Sequence, residues 1–137
     1  MNVLVDTCVW STALRCRKGS PRSVIVDELE ELIREGRVET IGAIRQEVLS
    51  GIRSHEQFLR LRDSLRAFPD IDTTSEDYER AADLFNLCRS KGIQGSNTDF
   101  LICAVAEQRG LSIFTTDDDF SGYAKYAQIA FHEVRDQ

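Results

Sequence analysis

Hydrophobic residues are arranged along this chain in two kinds of segment that alternate. Short apolar runs predict strands or extended segments, which cover residues 2–6, 38–41, 68–73, 111–116 and 128–131. Elsewhere, apolar positions and capping residues predict helices over residues 8–15, 23–35, 43–51, 55–67, 73–92 and 98–110, with a short helix inside 117–126. Strands that alternate with helices are typical of a parallel sheet with helices on both faces. The pattern therefore predicts an α/β fold.

The helix predicted over residues 98–110 differs from the others because apolar residues occupy nearly its whole circumference. A helix of this kind is buried on all sides. We therefore expect it to lie at the centre of the molecule.

The size and composition are those of one globular domain. The chain has 137 residues, of which 42% are apolar and 29% charged, and a chain of this length can bury a stable core. Residues 1–137 are therefore predicted to form a single domain. No apolar run approaches the roughly 20 residues that a membrane helix needs, and the N-terminus lacks a signal-peptide pattern. We expect a cytoplasmic protein with no membrane partner.

The four cysteines are Cys8, Cys16, Cys88 and Cys103. No two of them have the CxxC spacing of a zinc site. Cys8 and Cys103 lie in apolar stretches, so we interpret them as small core residues with reduced thiols.

The charge distribution leaves a nucleic-acid partner open. The net charge is −6, which by itself argues against such a partner. However, most of the cations are arginine, whose side chain suits phosphate, and four of the cations crowd into "RCRKGSPR" at residues 15–22. A second basic group lies in "RLRDSLR" at residues 60–66. Each group is either a solvated face with ion pairs or a contact surface for phosphate.

Four acidic residues occupy positions at which simple solvation is not the obvious explanation. Asp6 and Asp117 directly follow predicted strands, and the carboxyl ends of parallel strands are where such sheets bind ligands. Asp99 lies in the first turn of the apolar helix, and Glu47 lies inside the helix predicted over residues 43–51. Taken singly, each could be a helix cap, a first-turn acid or an exposed position.

If folding brings these acids together, their charges repel unless a divalent cation is present. Carboxylates and water are the ligands that Mg²⁺ and Mn²⁺ prefer. The pattern therefore points to metal-assisted phosphodiester hydrolysis, in which a cation activates water and stabilises the leaving oxygen.

Four blocks of the sequence resemble the PIN domain, particularly the VapC-type toxins of toxin–antitoxin pairs. They are "VLVDTCVW", "IRQEVLSGI", "SNTDFLICAVA" and "IFTTDDDF", in the order typical of that family. The resemblance implies a three-layer α/β/α fold with a central parallel sheet of about five strands. It also implies a Mg²⁺- or Mn²⁺-dependent endoribonuclease.

The resemblance assigns roles to individual residues. The catalytic acids would be Asp6, Glu47, Asp99 and Asp117, of which Asp6, Asp99 and Asp117 would be metal ligands. Thr7, Thr115 and Asp119 would support the site. The implied partners are a VapB-type antitoxin, an RNA substrate and a second copy of the chain. From charge and position, we further expect Arg15, Arg17 and Lys18 to hold the RNA backbone.

Three alternatives compete with this hypothesis. One is a catalytically weak PIN-like module that only binds RNA or a partner. Another is an aspartyl-phosphate phosphatase, which would need an acid at position 8, where this chain has cysteine. A metal-free ribonuclease would use histidine, but His55 and His132 fall outside the four blocks and are predicted to be surface residues.

Overall fold

The computed structural model describes residues 1–15 and 23–135. Within them, parallel strands form one five-stranded sheet of order β3-β2-β1-β4-β5. The strands are β1 (Val3–Val5), β2 (Val38–Ile41), β3 (Asp70–Ile71), β4 (Ser112–Phe114) and β5 (Ala130–Phe131). The helices are α1 (Thr7–Leu14), α2 (Val24–Arg34), α3 (Gly42–Leu49), α4 (His55–Leu65), α5 (Ser75–Ser90), α6 (Asn97–Arg109) and α7 (Asp119–Tyr123). These elements form three α/β/α layers, which confirms the predicted fold class.

The strand order places a topological switch beside the central strand β1. The chain runs outward from β1 through β2 to β3, and then returns to add β4 on the other side of β1. Val5 of β1 pairs in register with Phe114 of β4, and the backbone N–H of Asp6 donates to the Phe114 carbonyl at 2.9 Å. The segments that leave β1 and β4 therefore start from neighbouring points at this edge of the sheet, where such folds bind ligands. We call this region the crevice.

The centre of the molecule is formed by β1 and α6. All three residues of β1 are inaccessible to solvent, and residues 100–106 of α6 are buried without interruption. The prediction that this apolar helix is central is confirmed. Its first turn is thereby fixed against the core, next to the crevice.

A partly buried ion pair joins the start of α5 to the end of α6. Both carboxylate oxygens of Asp77 accept hydrogen bonds of 2.8 Å from Arg109, and Asp77 also caps α5 by accepting from the Thr74 N–H at 2.8 Å. The bonds from Arg109 hold the pKa of Asp77 below its usual value, although burial opposes this shift. The pair therefore fixes the position of α6 along α5.

The segments predicted at the sheet edges are longer than the strands observed. The extended segment 68–73 contributes only Asp70–Ile71 to the sheet, and 128–131 contributes only Ala130–Phe131. At the end of β4, Thr115 and Thr116 leave the sheet and donate hydrogen bonds to Asp6 and Cys8 at the start of α1. Across the described part of the chain, no helix combines the length and apolar character needed to cross a membrane.

Candidate functional site

Asp6 is a buried acid at the point where β1 becomes α1. It is 4% exposed. Its Oδ1 accepts from the Thr7 N–H at 2.7 Å, so Asp6 caps α1, and its Oδ2 accepts from the Thr115 hydroxyl at 2.7 Å and the Cys8 thiol at 3.4 Å. Burial raises the pKa of Asp6, the three hydrogen bonds lower it, and the charge of Asp99 raises it further, with a net increase. The donors therefore orient this carboxylate without fully compensating its charge.

The segment after β4 is tied to Asp6 by a chain of hydrogen bonds. The Thr115 hydroxyl, which donates to Asp6, accepts from the Asp117 N–H at 3.0 Å. The Asp117 Oδ1 in turn accepts from the Asp119 N–H at 2.9 Å. Thr115 therefore lies between two of the predicted metal ligands and contacts both residues.

Asp99 lies in the first turn of α6 and belongs to a capping box. Its N–H donates to the Ser96 hydroxyl at 3.1 Å, while its Oδ2 accepts from the Ser96 N–H at 3.4 Å. The same Oδ2 accepts from the Tyr123 hydroxyl at 2.8 Å. Asp99 is therefore a first-turn acid, as one interpretation of the sequence expected, and it completes the capping box of Ser96. The capping box does not account for the bond from Tyr123.

The charges of several acids act on Asp6 and Tyr123, which lie at the crevice. Asp99 raises the pKa of Asp6. The pKa of Tyr123 is raised by burial, by its hydrogen bond to Asp99 and by the charges of Asp99, Asp119 and Asp117. Negative charge from α1, α6 and the segment after β4 therefore accumulates in the crevice at the topological switch.

The other predicted site residues lie at different depths. Glu47 is exposed on α3 and makes no hydrogen bond or ion pair with the residues that the structure describes. Ala43, one turn earlier on the same helix, lines a cavity of about 510 Å³ together with Asn97 and Thr98 at the start of α6. Glu47 itself does not line this cavity, and it does not join the hydrogen-bond chain of the other acids.

Thr7 contributes its backbone to Asp6, but its hydroxyl is buried without a hydrogen-bond partner among the described residues. Arg15 is exposed at the end of α1, whereas Arg17 and Lys18 lie outside the described residues. Asp118, between the two bonded acids, is exposed and occupies the cap position of α7 without a side-chain capping bond.

The donor chemistry of the crevice fits a hard divalent cation. Carboxylate oxygens are the ligands that Mg²⁺ and Mn²⁺ prefer, and a cation would offset the incomplete compensation at Asp6. The buried Thr7 hydroxyl provides a further oxygen that lacks a partner. In the described ranges, no three acidic, histidine or cysteine side chains are gathered closely enough to enclose an ion by themselves. A bound ion would therefore be held partly through water, as is usual for Mg²⁺.

Two residues in this network were not recognised from the sequence. Cys8 was interpreted as a core residue, but it is only half-buried, and its sulfur contacts Asp6 and accepts from the Thr116 hydroxyl at 3.2 Å. Tyr123 follows the acidic run by several residues and reaches Asp99 through the tertiary fold alone. No local signal in the sequence distinguishes its hydroxyl from that of Tyr126.

The prediction that His132 is a surface residue is wrong. Its side chain is 8% exposed, and its Nε2 lies 2.5 Å from the buried Glu28 carboxylate, which also accepts from Arg135 at 2.9 Å. The ring packs edge-on against Phe114, with centroids 5.4 Å apart. The sequence did not show this contact, because nothing in the pattern of this acidic helix indicates that Glu28 is buried.

Comparisons with known proteins agree with this architecture. The PIN domain sequence model matches residues 3–126. FitAcB from Neisseria gonorrhoeae has a TM-score of 0.73 at 21% identity, covering 96% of each chain. VapBC2 from Rickettsia felis, bound to a promoter DNA fragment, has a TM-score of 0.76 at 18% identity, covering 96% of this chain and 98% of that one.

VapBC-5 from Mycobacterium tuberculosis, a member of the VapBC family of toxin–antitoxin systems, has a TM-score of 0.64 at 22% identity, with 96% and 98% coverage. These likenesses show a shared fold. A search of curated protein sequences finds no match. Because the matching sequence model spans most of the chain, the chain belongs to the PIN domain family.

Proposed function

We propose that this protein is a metal-dependent endoribonuclease and the toxin of a VapBC-type toxin–antitoxin pair. The observation that supports the proposal is the pair of hydrogen bonds through Thr115 that links Asp6 to the segment containing Asp117 beside β1, together with the charge of Asp99 that acts on Asp6. A crevice with this much negative charge repels a phosphodiester unless the charge is neutralised. A nuclease with such a crevice therefore requires a cation for substrate binding as well as for catalysis.

Asp6, Asp99 and Asp117 would hold Mg²⁺ or Mn²⁺. When bound, such a cation supplies Lewis-acid activation of water and neutralises charge on the phosphate. The hydrogen bonds from Thr115 and Cys8 orient the Asp6 carboxylate, and the backbone N–H of Asp119 holds the Asp117 side chain.

Glu47 is exposed and lies outside the hydrogen-bond network of the other three acids. Its exposure allows it to contact water, and its proposed role is to position the attacking water molecule or to bind the cation through water. In-line attack at phosphorus would leave a 5′-phosphate and a 3′-hydroxyl. The expected contacts with the RNA backbone come from Arg15, which is exposed, together with Arg17 and Lys18.

The proposed partners follow from the fold. Similar chains occur in FitAcB and in two VapBC assemblies. This similarity supports a VapB-type antitoxin as the partner of this chain, and we also expect a homodimer that acts on RNA in the cytoplasm. A short reading frame for a DNA-binding protein beside the gene would agree with this pairing.

The test is cleavage of a labelled RNA by purified protein in Mg²⁺ or Mn²⁺, with and without EDTA. We expect EDTA to stop cleavage, excess metal to restore it, and Asp99→Asn to abolish it. Asp63→Asn is the matched control, because Asp63 is an exposed acid on α4 that pairs with Arg62 at 3.0 Å. Equal rates for wild type and Asp99→Asn would overturn the proposal, and metal-independent RNA binding without cleavage would favour a binding module.

A further inference from the structure

Tyr123 is a buried tyrosine that extends from α7 to the candidate metal site. It is 0% exposed. Its ring packs against Phe100 and Phe120, with centroids 4.8 Å and 5.1 Å away. The hydroxyl at the end of this ring lies 2.8 Å from Oδ2 of Asp99. The aromatic packing therefore fixes the direction from which the hydroxyl approaches the carboxylate.

The loop before α6 leaves room for this side chain. A Cβ atom at Gly95 would overlap the Tyr123 ring, 2.8 Å from Cζ, so any larger residue at this position would displace the ring. The other acceptor near the hydroxyl is the Gln94 carbonyl, which is 3.5 Å away. Asp99 is therefore the stronger acceptor for the tyrosine proton.

The two oxygens of Asp99 have different surroundings. Oδ2 accepts from both Tyr123 and the Ser96 N–H, whereas Oδ1 has no hydrogen-bond donor among the described residues. A carboxylate that is bound on one oxygen is restricted in rotation and presents the other oxygen in a fixed direction. Hydrogen bonds of this kind to metal-binding groups influence metal affinity.

We propose that Tyr123 is a positioning residue, whose hydroxyl holds Asp99 so that Oδ1 faces the divalent cation. This inference rests on the proposed function, because it requires Asp99 to be a metal ligand. Tyr123 lies in α7, outside the four sequence blocks, so its role is not part of the family resemblance. The ring stabilises the core, and the hydroxyl orients the ligand, so the two contributions can be separated by removing one oxygen atom.

The experiment compares Tyr123→Phe with wild type and with Tyr126→Phe. Tyr126 is the matched control, because it is half-buried near the same helix and is not bonded to Asp99. Mn²⁺ is titrated into each metal-free protein by calorimetry. Loss of an outer hydrogen bond to a ligand typically weakens metal binding by about 10-fold or more. We expect that loss for Tyr123→Phe and wild-type affinity for Tyr126→Phe.

Kinetics provide a second readout. We expect Tyr123→Phe to lower kcat at fixed Mn²⁺ while leaving KM for RNA unchanged, and added Mn²⁺ to recover part of the rate. Wild-type metal affinity together with a wild-type rate in Tyr123→Phe would overturn the positioning role and leave the nuclease proposal intact. Failure of wild-type protein to bind Mn²⁺ would overturn both.

A measurement on wild-type protein keeps the proposal testable even if the variant does not fold. In protein with labelled tyrosine, proton NMR should show one phenol hydroxyl in slow exchange, which shifts when Mg²⁺ is added. Gly95→Ala, which displaces the ring, should remove this signal. A hydroxyl signal that does not respond to Mg²⁺, or no protected hydroxyl at all, would contradict the proposal.

Discussion

The Thr115 hydroxyl and the Asp6 carboxylate are 2.7 Å apart, and their hydrogen bond joins the ends of the two central strands. Thr115 also accepts from the Asp117 backbone, so one side chain relates two acids that are far apart in the sequence. Because Thr115 directly follows β4 beside Asp6, the orientation of the Asp6 carboxylate can depend on a neutral residue from a distant part of the sequence.

Replacing Thr115 with valine should therefore impair cleavage more than folding. The variant keeps the shape of the side chain but removes the donor to Asp6, and loss of such a bond typically costs about 10-fold or more in activity or metal affinity. The stability loss should be about 1 kcal/mol, as for a typical hydrogen bond. RNA cleavage and urea unfolding measure the two effects.

Thr73→Val is the control for that substitution, since Thr73 is also half-buried and bonds to Tyr78 at 3.1 Å, away from the acids. Its cleavage rate should equal that of wild type. If Thr115→Val cleaves RNA as fast as Thr73→Val, Thr115 does not orient Asp6 for catalysis.

A second prediction concerns the ion pair between α5 and α6. Asp77→Asn leaves Arg109 without its carboxylate partner. Because the Arg109 side chain is 27% exposed, the loss should be about 2 kcal/mol, below the roughly 3–5 kcal/mol of fully buried pairs. Urea unfolding measures it, with Asp83→Asn as the control, because the exposed Asp83–Arg80 pair should contribute about 0.5 kcal/mol or less. Equal destabilisation by the two variants would contradict the structure.

The same pair predicts how stability depends on pH. The pKa of Asp77 in the folded protein lies below its ordinary value of 3.8 because Arg109 bonds to the charged form. The stabilisation is therefore complete above about pH 5 and is lost as the pH falls below 3.8 through the folded-state pKa. The difference in unfolding free energy between wild type and Asp77→Asn should shrink over that interval. A difference that stays constant from pH 7 to pH 3 would show that Asp77 titrates normally.

The sequence predicts the centre of this fold better than its edges. Val3–Val5 and the apolar helix α6 are recognisable because burial on all sides leaves no polar positions in them. At the periphery the pattern is less informative. Val24 and Ile33 have helical spacing but are 64% and 39% exposed, whereas Glu28 between them is 2% exposed. The partners of Glu28 come from the far end of the chain, so local periodicity cannot reveal them.

In the candidate site too, some features follow from local sequence patterns and others only from tertiary contacts. Asp6, Asp99 and Asp117 can be located because each occupies a distinctive place at the end of a strand or the start of a helix. The contacts from Cys8 and Tyr123 depend on how side chains from separate elements meet. Sequence patterns therefore indicate the candidate acids, and the tertiary structure shows which side chains bond to them.

The last prediction is that neutralising Asp6 abolishes cleavage without lowering stability. Asp6 is buried, its donors compensate its charge incompletely, and the charge of Asp99 acts on it. Asparagine can keep the bond from the Thr7 N–H with its oxygen, and the Thr115 hydroxyl can turn to accept from its NH2 group. The substitution therefore removes both the buried charge and the repulsion. In metal-free buffer, the unfolding free energy of Asp6→Asn should therefore equal or exceed that of wild type by up to about 1 kcal/mol, as is common where active sites trade stability for function.

Asp118→Asn is the matched control for Asp6→Asn, because Asp118, which follows Asp117 in the sequence, is exposed and makes no side-chain capping bond. It should change neither stability nor cleavage. If Asp6→Asn were less stable than wild type in EDTA, the carboxylate would be a net stabilising group in the metal-free protein. The incomplete compensation that we assign to the crevice, and with it the electrostatic demand for a cation, would then be wrong.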